Sequence, residues 1–182
     1  ALVLYGEMDV SVVDELPPGR KPVATRIVPE RKREGLYGFL RATVEAGQQI
    51  YVVCPLVEES EAVDAASAER TAQDLAAALP GAKVELLHGR MKGPEKEAIL
   101  DRFAAGETQV LVSTTVIEVG VNVPNATVMV VEDAERFGLA QLHQLRGRVG
   151  RGEKASWCFL MADRPTARLR ALTETNDGFV IA

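Results

Sequence analysis

The sequence is poor in the residues that build disulfide frameworks and metal sites, because it has only two cysteines and two histidines. Cys54 and Cys158 each lie inside a hydrophobic run, which favours two buried thiols in a reducing cytosol over a disulfide framework. His88 and His143 have no acidic or cysteine partners at metal-ligand spacing. We therefore expect a cytoplasmic protein without a metal site.

Long apolar runs are also missing. No uninterrupted stretch approaches the roughly 18 residues that a membrane-spanning helix needs. The N-terminus lacks the basic, apolar and small-residue pattern of a secretory signal. The chain opens at Ala1 with apolar residues and no start methionine, which suggests a piece of a longer protein. Its 182 residues, 47% of them hydrophobic, fit one globular domain with a substantial core and no membrane partner.

Two signals for ATP hydrolysis are absent as well. The sequence has no glycine-rich phosphate loop ending in Lys-Ser or Lys-Thr, and no Asp-Glu pair follows any of its predicted buried strands. Hydrolysis needs a phosphate cradle and acids that hold magnesium, so we expect the chain alone to be inactive as an ATPase.

The net charge of −5 argues against bulk electrostatic adhesion to nucleic acid, but it leaves room for a local basic track. A second basic cluster, at residues 31–33, is typical of a solvated helix start. The candidate track is the segment 141–154, whose charged residues are Arg146, Arg148, Arg151 and Lys154 against Glu153 alone.

Short β-branched runs alternate with longer amphipathic stretches. This repeated β-α-β order predicts an α/β fold of three layers, a mostly parallel sheet with helices on both faces. In such sheets ligands gather at the carboxyl ends of the strands. The predicted strands are Gln49–Cys54, Lys83–Leu87, Gln109–Val112, Thr127–Glu132 and Trp157–Met161, and the predicted helices are Arg33–Ala46, Ser67–Leu79, Gly93–Ala105 and Leu139–Arg146.

Two stretches fall outside this alternation. Residues 1–29 are rich in turn formers and predict a connector that ends in an edge strand at Thr25–Val28. The stretch Glu58–Ala68 is acidic and built of small residues, so we predict a mobile insertion there.

The segment Gln144–Arg151 carries the strongest functional pattern. Arg148 and Arg151 are three residues apart and point the same way if the backbone there is helical. Gly147 and Gly150 allow another surface to approach closely. Two fixed guanidiniums suit the terminal phosphates of a nucleotide, the role called an arginine finger. The alternative is a basic helix end that interacts with its own dipole.

A hydroxyl-rich turn begins at Thr114, directly after a predicted strand. Hydroxyls and free backbone N–H groups at a helix start can cradle a phosphate. Thr115 and Glu118 also have the spacing of a capping box, which would explain both residues structurally. Beyond Gly120, Asn122 offers an amide suited to a ribose hydroxyl, although an isolated asparagine is more often a turn former.

A third pattern, His88-Gly89-Arg90, lies between a predicted strand and a predicted helix. Glycine permits close backbone approach, and Arg90 can neutralise a phosphate. An ordinary loop explains such a short pattern equally well.

Together these segments resemble the second motor lobe of superfamily 2 helicases. Gln144–Arg151 is similar to motif VI of that family, Thr114–Pro124 to motif V, and Cys54–Leu56 to motif IV. Longer matches point to bacterial DNA helicases that remodel branched DNA, and they cover nearly the whole chain. These matches are Asp14–Arg20, Cys54–Ser60, Leu87–Met91, Gly138–Gly152 and Asn176–Phe179.

The resemblance implies a RecA-like fold and a division of the chain. Residues 1–29 would enter the lobe, residues 30–163 would form it, and residues 164–182 would start a truncated translocation element. The full-length protein would be an ATP-dependent DNA helicase that acts on replication forks and recombination intermediates in DNA repair. The implied partners are branched duplex DNA and the first RecA-like lobe and wedge domain of the same polypeptide. ATP and magnesium would be bound mainly by that first lobe.

The resemblance also implies roles at the nucleotide. Arg148 and Arg151 would approach the γ-phosphate bound on the partner lobe, and Gln144 would help couple that site to DNA. Glu118, Gly120 and Asn122 would lie at the nucleotide. The family usually has aspartate at this last position; the amide oxygen can still contact ribose, but a role that needs a negative charge is not carried over.

The implied DNA contacts are Thr114, Thr115 and the loop of His88, Gly89 and Arg90. Two alternatives remain at this stage. One is the equivalent lobe of a transcription-repair coupling translocase, which shares most of Gly138–Arg151. The other is a RecA-like interaction module without a motor role.

Overall fold

The computed structural model describes residues 22–56, 60–114 and 122–174. It contains a six-stranded sheet in which every neighbouring pair is parallel, so the predicted parallel α/β sheet is confirmed. The order across the sheet is β1-β6-β5-β2-β4-β3. The strands are β1 (Val23–Val28), β2 (Gln49–Val53), β3 (Val84–Leu87), β4 (Val110–Ser113), β5 (Ala126–Val131) and β6 (Ser156–Met161).

Helices cover both faces of the sheet, as predicted. None of those in the described ranges is long and apolar enough to cross a membrane. Pro94 lies in the first turn of α3, and the residue after the end of α2 is followed by Pro80 and by Gly81, whose φ of 89° favours glycine. The helices are α1 (Arg33–Glu45), α2 (Glu61–Ala78), α3 (Gly93–Ala104), α4 (Leu139–Arg146) and α5 (Ala167–Thr173), with 3-10 turns at Glu30–Lys32 and Ala134–Arg136.

Successive strand residues point to opposite faces, so the sheet separates two buried cores. The helices α3, α4 and α5 cover one core, and α1 and α2 cover the other. The central strands are buried on both faces, which is why they read as continuous apolar runs in the sequence. The first core includes Tyr51, Leu111, Met129, Leu160, Phe103, Leu142 and Leu169, and the second includes Ile50, Val112, Val130, Phe159, Leu40 and Leu75.

The predicted mobile insertion at Glu58–Ala68 is wrong from residue 61 onward, where α2 begins. The hydroxyl of Ser60 caps this helix by accepting a hydrogen bond from the backbone N–H of Val63 at 3.4 Å. Ala68 is fully buried in the second core, so this part of the helix packs against the sheet through a small residue. Residues 57–59 lie outside the described part of the chain.

Chain segments before residue 30 and after residue 163, the predicted limits of the lobe, also pack into its fold. β1 pairs with β6 along its whole length, from Val23 to Val28, so the predicted edge strand is confirmed and begins two residues earlier. Helix α5, which was not predicted, buries Leu169 and Leu172 completely. The division of the chain at residues 30 and 163 stays a prediction.

Candidate nucleotide and nucleic-acid sites

Two of the predicted nucleic-acid contacts meet at the carboxyl edge of the sheet. Leu87 of β3 lies beside Ser113 of β4 in the parallel register, so His88 and Thr114 follow neighbouring strands side by side. The backbone N–H of Thr114 donates to the carbonyl oxygen of Leu87 at 3.1 Å. The ligand-binding edge of a parallel sheet thus brings Thr114 together with the loop after β3.

That loop presents a cation to solvent. The backbone N–H of Arg90 donates to Nδ1 of His88 at 3.2 Å, which gives the imidazole the role of acceptor. Gly89 and Arg90 are both exposed. The loop therefore has the position and the charge that a phosphate contact requires.

Thr114 contributes a buried hydroxyl to the same edge. The residue is 2% exposed, and its Oγ1 has no hydrogen-bond partner among the described residues. Leaving a buried hydroxyl unsatisfied costs about 1–3 kcal/mol. A ligand oxygen would remove that cost, but the hydroxyl is enclosed by the fold, and the DNA contact predicted for Thr114 stays a prediction.

The segment of the predicted arginine fingers lies at the opposite, amino edge of the sheet. A Cβ on Gly152, next to Arg151, would lie 3.2 Å from the carbonyl oxygen of Pro124. Lys154 Nζ donates to Asn125 Oδ1 at 2.8 Å. Pro124 and Asn125 immediately precede β5. This segment follows a helix and not a strand, so it lies apart from the carboxyl-end loops at which ligands usually gather in parallel sheets.

The two finger arginines follow the end of α4. The helix stops at Arg146, and Gly150 has a left-handed φ of 77°, so the backbone from Arg148 to Arg151 is not a continuous helix. The condition under which the two side chains would share one helical face is therefore not met. Arg151 Nε donates to the carbonyl oxygen of Gly147 at 2.9 Å, which is the helix-end contact of the alternative interpretation.

Arg148 and Arg151 nevertheless share one electrostatic environment. Burial raises the pKa of Tyr51, a β2 residue that is 1% exposed, to about 12, and the positive charges of both arginines oppose that rise. Both guanidiniums therefore act electrostatically on the same buried residue of the first core. Gln144 is exposed on α4, one turn before Arg148. The sequence alone does not connect Tyr51 with these two arginines, because an apolar strand pattern does not show which distant residues its side chains will face.

Arg146 does not belong to the surface basic track. It is 4% exposed, and its Nη1 donates to the carbonyl oxygen of Leu172 at 2.6 Å and to Thr25 Oγ1 at 3.3 Å. Burial lowers its pKa below the usual value. The side chain holds α4 against α5 and β1, so the predicted track loses one of its cations.

One member of the basic cluster at residues 31–33 is also paired inside the fold. Arg33 donates through Nη1 and Nη2 to the two carboxylate oxygens of Glu132 at 2.9 and 2.6 Å, and through Nε to Glu30 at 2.6 Å. The hydrogen bond to Glu132 is the main cause that raises the pKa of Arg33. These ion pairs fix the start of α1 to the carboxyl end of β5.

Three of the predicted site residues, Thr115, Glu118 and Gly120, lie outside the described residues. Asn122 is described and exposed. It lies two residues before Pro124, which Gly152 contacts; residues 148–154 are called the finger segment from here on. At the amino edge the structure thus shows contact between neighbours of Arg151 and Asn122, and at the carboxyl edge it places Thr114 beside the loop after β3.

The thiols behave as the sequence predicts. Cys54 and Cys158 are free and buried, and burial raises the pKa of each to about 12. Across the ranges that the structure describes, no group of three or more His, Cys, Asp or Glu side chains is placed to hold a metal ion.

The comparison with protein families identifies the class to which this parallel α/β domain belongs. The profile of the helicase conserved C-terminal domain matches residues 31–153. This match covers more than half of the chain, so the chain belongs to that helicase family.

Within the family, the chain is similar to the ATP-dependent DNA helicase RecG. It is 52% identical over its whole length to RecG of Acidithiobacillus ferridurans and spans 27% of that protein. It is 52% identical to RecG of Escherichia coli strain K12 and 48% identical to RecG of Bacillus subtilis strain 168, again over the whole chain and 27% of each relative. The chain thus spans about a quarter of the length of these relatives.

Solved helicase structures have the same fold as this chain. The structure of RecG bound to a three-way DNA junction superposes with a TM-score of 0.78 at 46% identity, over 92% of this chain and 22% of that one. Domain 2 of the DEAD-box helicase Mss116p, bound to an RNA duplex, gives a TM-score of 0.63 at 15% identity, over 82% of this chain and 58% of that one. The second match shows a shared fold alone, and the predicted RecA-like architecture is confirmed.

Proposed function

We propose that the chain is the second motor lobe of a longer ATP-dependent DNA helicase, the parent helicase, which remodels branched DNA at replication forks and recombination intermediates. The observation that carries this proposal is the 52% identity to RecG over the whole chain. The partners in the proposal are branched duplex DNA and the first RecA-like lobe and wedge domain of the same polypeptide. The two buried thiols suit the cytoplasm as its location.

The amino edge is the proposed nucleotide side of the lobe. Arg148 and Arg151 would reach the γ-phosphate of ATP bound on the first lobe, and Asn122 would contact its ribose. Arg151 uses Nε for its contact with Gly147, which leaves its terminal Nη groups as the donors for a phosphate. Gln144, exposed on α4, would couple this site to DNA.

The charges at this edge suit ATP and leave magnesium to the first lobe. The finger segment from Arg148 to Lys154 carries three basic residues and one acidic residue, Glu153. Guanidinium and ammonium groups attract phosphate oxygens, whereas Mg²⁺ is bound by carboxylates together with substrate phosphates. When bound, the magnesium ion would neutralise charge on the transferred phosphate, and this lobe would add its arginines from the other side.

The carboxyl edge at β3 and β4 is the proposed DNA side. A motor that moves along DNA must contact the backbone without reading bases, and a hydroxyl and a guanidinium suffice for that. Thr114 and Arg90 provide these groups on neighbouring strand ends.

Acidic residues limit this DNA surface to one part of the carboxyl edge. The ends of β1, β5 and β6 form a cleft of about 350 Å³. Carboxylates beside phosphate would repel it, so the backbone path should stay at the ends of β3 and β4. The acidic residues of the cleft are Glu30, Glu132, Asp133, Glu135 and Asp163.

Arg90→Ala in the parent helicase is expected to weaken binding to a labelled three-way junction several-fold, to a similar extent for different sequences. The slope of log K against log salt should become shallower by about 0.9, because one fewer counterion is released. Fluorescence titrations at several salt concentrations measure both quantities, and ATP-dependent unwinding of the same junction tests the proposed activity.

Arg70→Ala is the matched control, because Arg70 is exposed in the middle of α2. It should leave affinity and salt slope unchanged. Equal effects of the two variants, or none from Arg90→Ala, would show that DNA binds elsewhere. Failure of the wild-type parent to unwind the junction with ATP would contradict the proposed function itself.

A further inference from the structure

A polar network at the amino edge joins the segments on which the proposed nucleotide site depends. Asn125 Oδ1 accepts from Lys154 Nζ at 2.8 Å, and Asn125 Nδ2 donates to the carbonyl oxygen of Gly47 at 2.8 Å and to Gln49 Oε1 at 3.0 Å. The backbone carbonyl of Asn125 also accepts from the N–H of Gln49 at 2.9 Å. One residue thus connects the segment after Arg151 with the turn between α1 and β2.

The chemistry of the partners fixes the orientation of the Asn125 amide. An ammonium group only donates and a carbonyl oxygen only accepts, so Oδ1 faces Lys154 and Nδ2 faces the turn. Gln49 is oriented in the same way, because its Nε2 donates to the carbonyl oxygens of Phe103 at 2.7 Å and Thr108 at 2.8 Å. Its Oε1 then accepts from Asn125. Since Gln49 is 3% exposed, the network ends inside the fold.

A close steric contact supports the same arrangement. A Cβ on Gly152 would lie 3.2 Å from the carbonyl oxygen and 3.4 Å from Cβ of Pro124, so the two backbones approach as closely as glycine allows. Arg151 directly precedes Gly152, and Asn122 lies two residues before Pro124. The segments that carry these two proposed nucleotide contacts are therefore packed together.

We propose that Asn125 is a positioning residue that fixes the segments of Arg151 and Asn122 relative to each other and to the buried start of β2. This inference rests on the proposed nucleotide role of Arg151. A displacement of about 1 Å at a reacting group can lower a rate about 10²-fold. Loosening the finger segment should therefore affect turnover more than nucleotide binding.

Asn125→Ala in the parent helicase is expected to lower kcat for DNA-stimulated ATP hydrolysis about tenfold or more, with KM for ATP changed less than about threefold. In an Arg151→Ala background, the same change should lower turnover no further, because residues that act as a unit are not additive. A role in folding alone would lower activity equally in both backgrounds.

Thr127→Val is the matched control at the same edge. It removes the 2.7 Å hydrogen bond from Thr127 Oγ1 to Gln48 Oε1, which joins β5 to the turn before β2. This hydrogen bond does not involve the finger segment. This variant should keep kcat within about twofold of wild type.

Amide hydrogen exchange gives a readout that does not depend on activity. Exchange of the peptide 147–154 in the parent helicase should be faster in Asn125→Ala than in wild type or Thr127→Val. Unchanged exchange would overturn the inference, and so would an intact kcat in Asn125→Ala when Arg151→Ala abolishes turnover. If Arg151→Ala itself leaves turnover intact, the proposed finger role fails, and the exchange rates alone then decide whether Asn125 holds the segment.

Discussion

Arg151→Ala in the parent helicase should lower kcat for DNA-stimulated ATP hydrolysis by about 10³-fold or more, and Arg148→Ala should act similarly. A guanidinium at the γ-phosphate stabilises charge that develops in the transition state, so ATP affinity should change much less. Arg151→Lys should restore little, because an ammonium group lacks the planar pair of donors. Steady-state ATPase assays with saturating DNA, together with equilibrium binding of a fluorescent ATP analogue, separate the two effects.

Arg70→Ala removes an equivalent exposed charge from the opposite helical layer and should leave kcat within about twofold of wild type. A drop of only a few-fold in both finger variants would contradict the proposal. It would mean that Arg151 only caps the end of α4, through the contact that it makes with the carbonyl oxygen of Gly147.

Arg146→Ala should act on folding instead, lowering the free energy of unfolding of the chain by about 2–4 kcal/mol. The change leaves the carbonyl oxygen of Leu172 without its donor, which costs about 1–3 kcal/mol, and it empties a buried space, which adds to the loss. Guanidinium titration followed by circular dichroism measures the difference. A loss below about 0.5 kcal/mol would show that Arg146 is not buried in solution.

Arg146→Met provides the internal comparison. Methionine fills most of the same space. It also removes a buried guanidinium, the group whose pKa is lowered by that burial. Replacing a buried charge by an apolar side chain of similar volume is often neutral or stabilising, so this variant should lose less stability than Arg146→Ala. Equal losses in the two variants would point to the hydrogen bonds of Arg146 alone.

The sheet could be predicted because its strands leave a clear signal in the sequence. All five residues of β2 are buried, and β5 is buried throughout, so both read as β-branched apolar runs. The first half of α2 shows where the signal weakens. Its first residues are small or acidic, and the buried positions Asp64 and Ala68 carry little apolar character. Tertiary packing decides that they are helical, and local pattern does not.

The candidate residues could be predicted by type, but their surroundings could not. Arg146 and Arg148 stand two residues apart in one motif, yet the first is buried against Leu172 and the second lies in the turn after α4. The difference depends on α5, whose two buried leucines give a short and weak helical pattern. The left-handed backbone of Gly150, which breaks the turn after α4, is a further feature that spacing alone does not reveal.

The comparisons also bear on the alternatives left open by the sequence. Identity of 52% to RecG extends over the whole chain, well beyond the motif Gly138–Arg151 that a transcription-repair coupling translocase shares. The finger segment and the DNA-side loop both contain basic residues, which a module without a motor role would not need. These observations favour the branched-DNA helicase.

The central claim is that this lobe completes an ATPase site held mainly by another lobe. The steady-state ATPase rate of the purified chain, measured beside that of the parent helicase with and without branched DNA, tests it most directly. We predict DNA-stimulated turnover in the parent and none in the chain above a matched contaminant control, with circular dichroism confirming that the chain is folded. Turnover by the folded chain that persists after Arg151→Ala would contradict the claim, because the chain would then contain a complete site of its own.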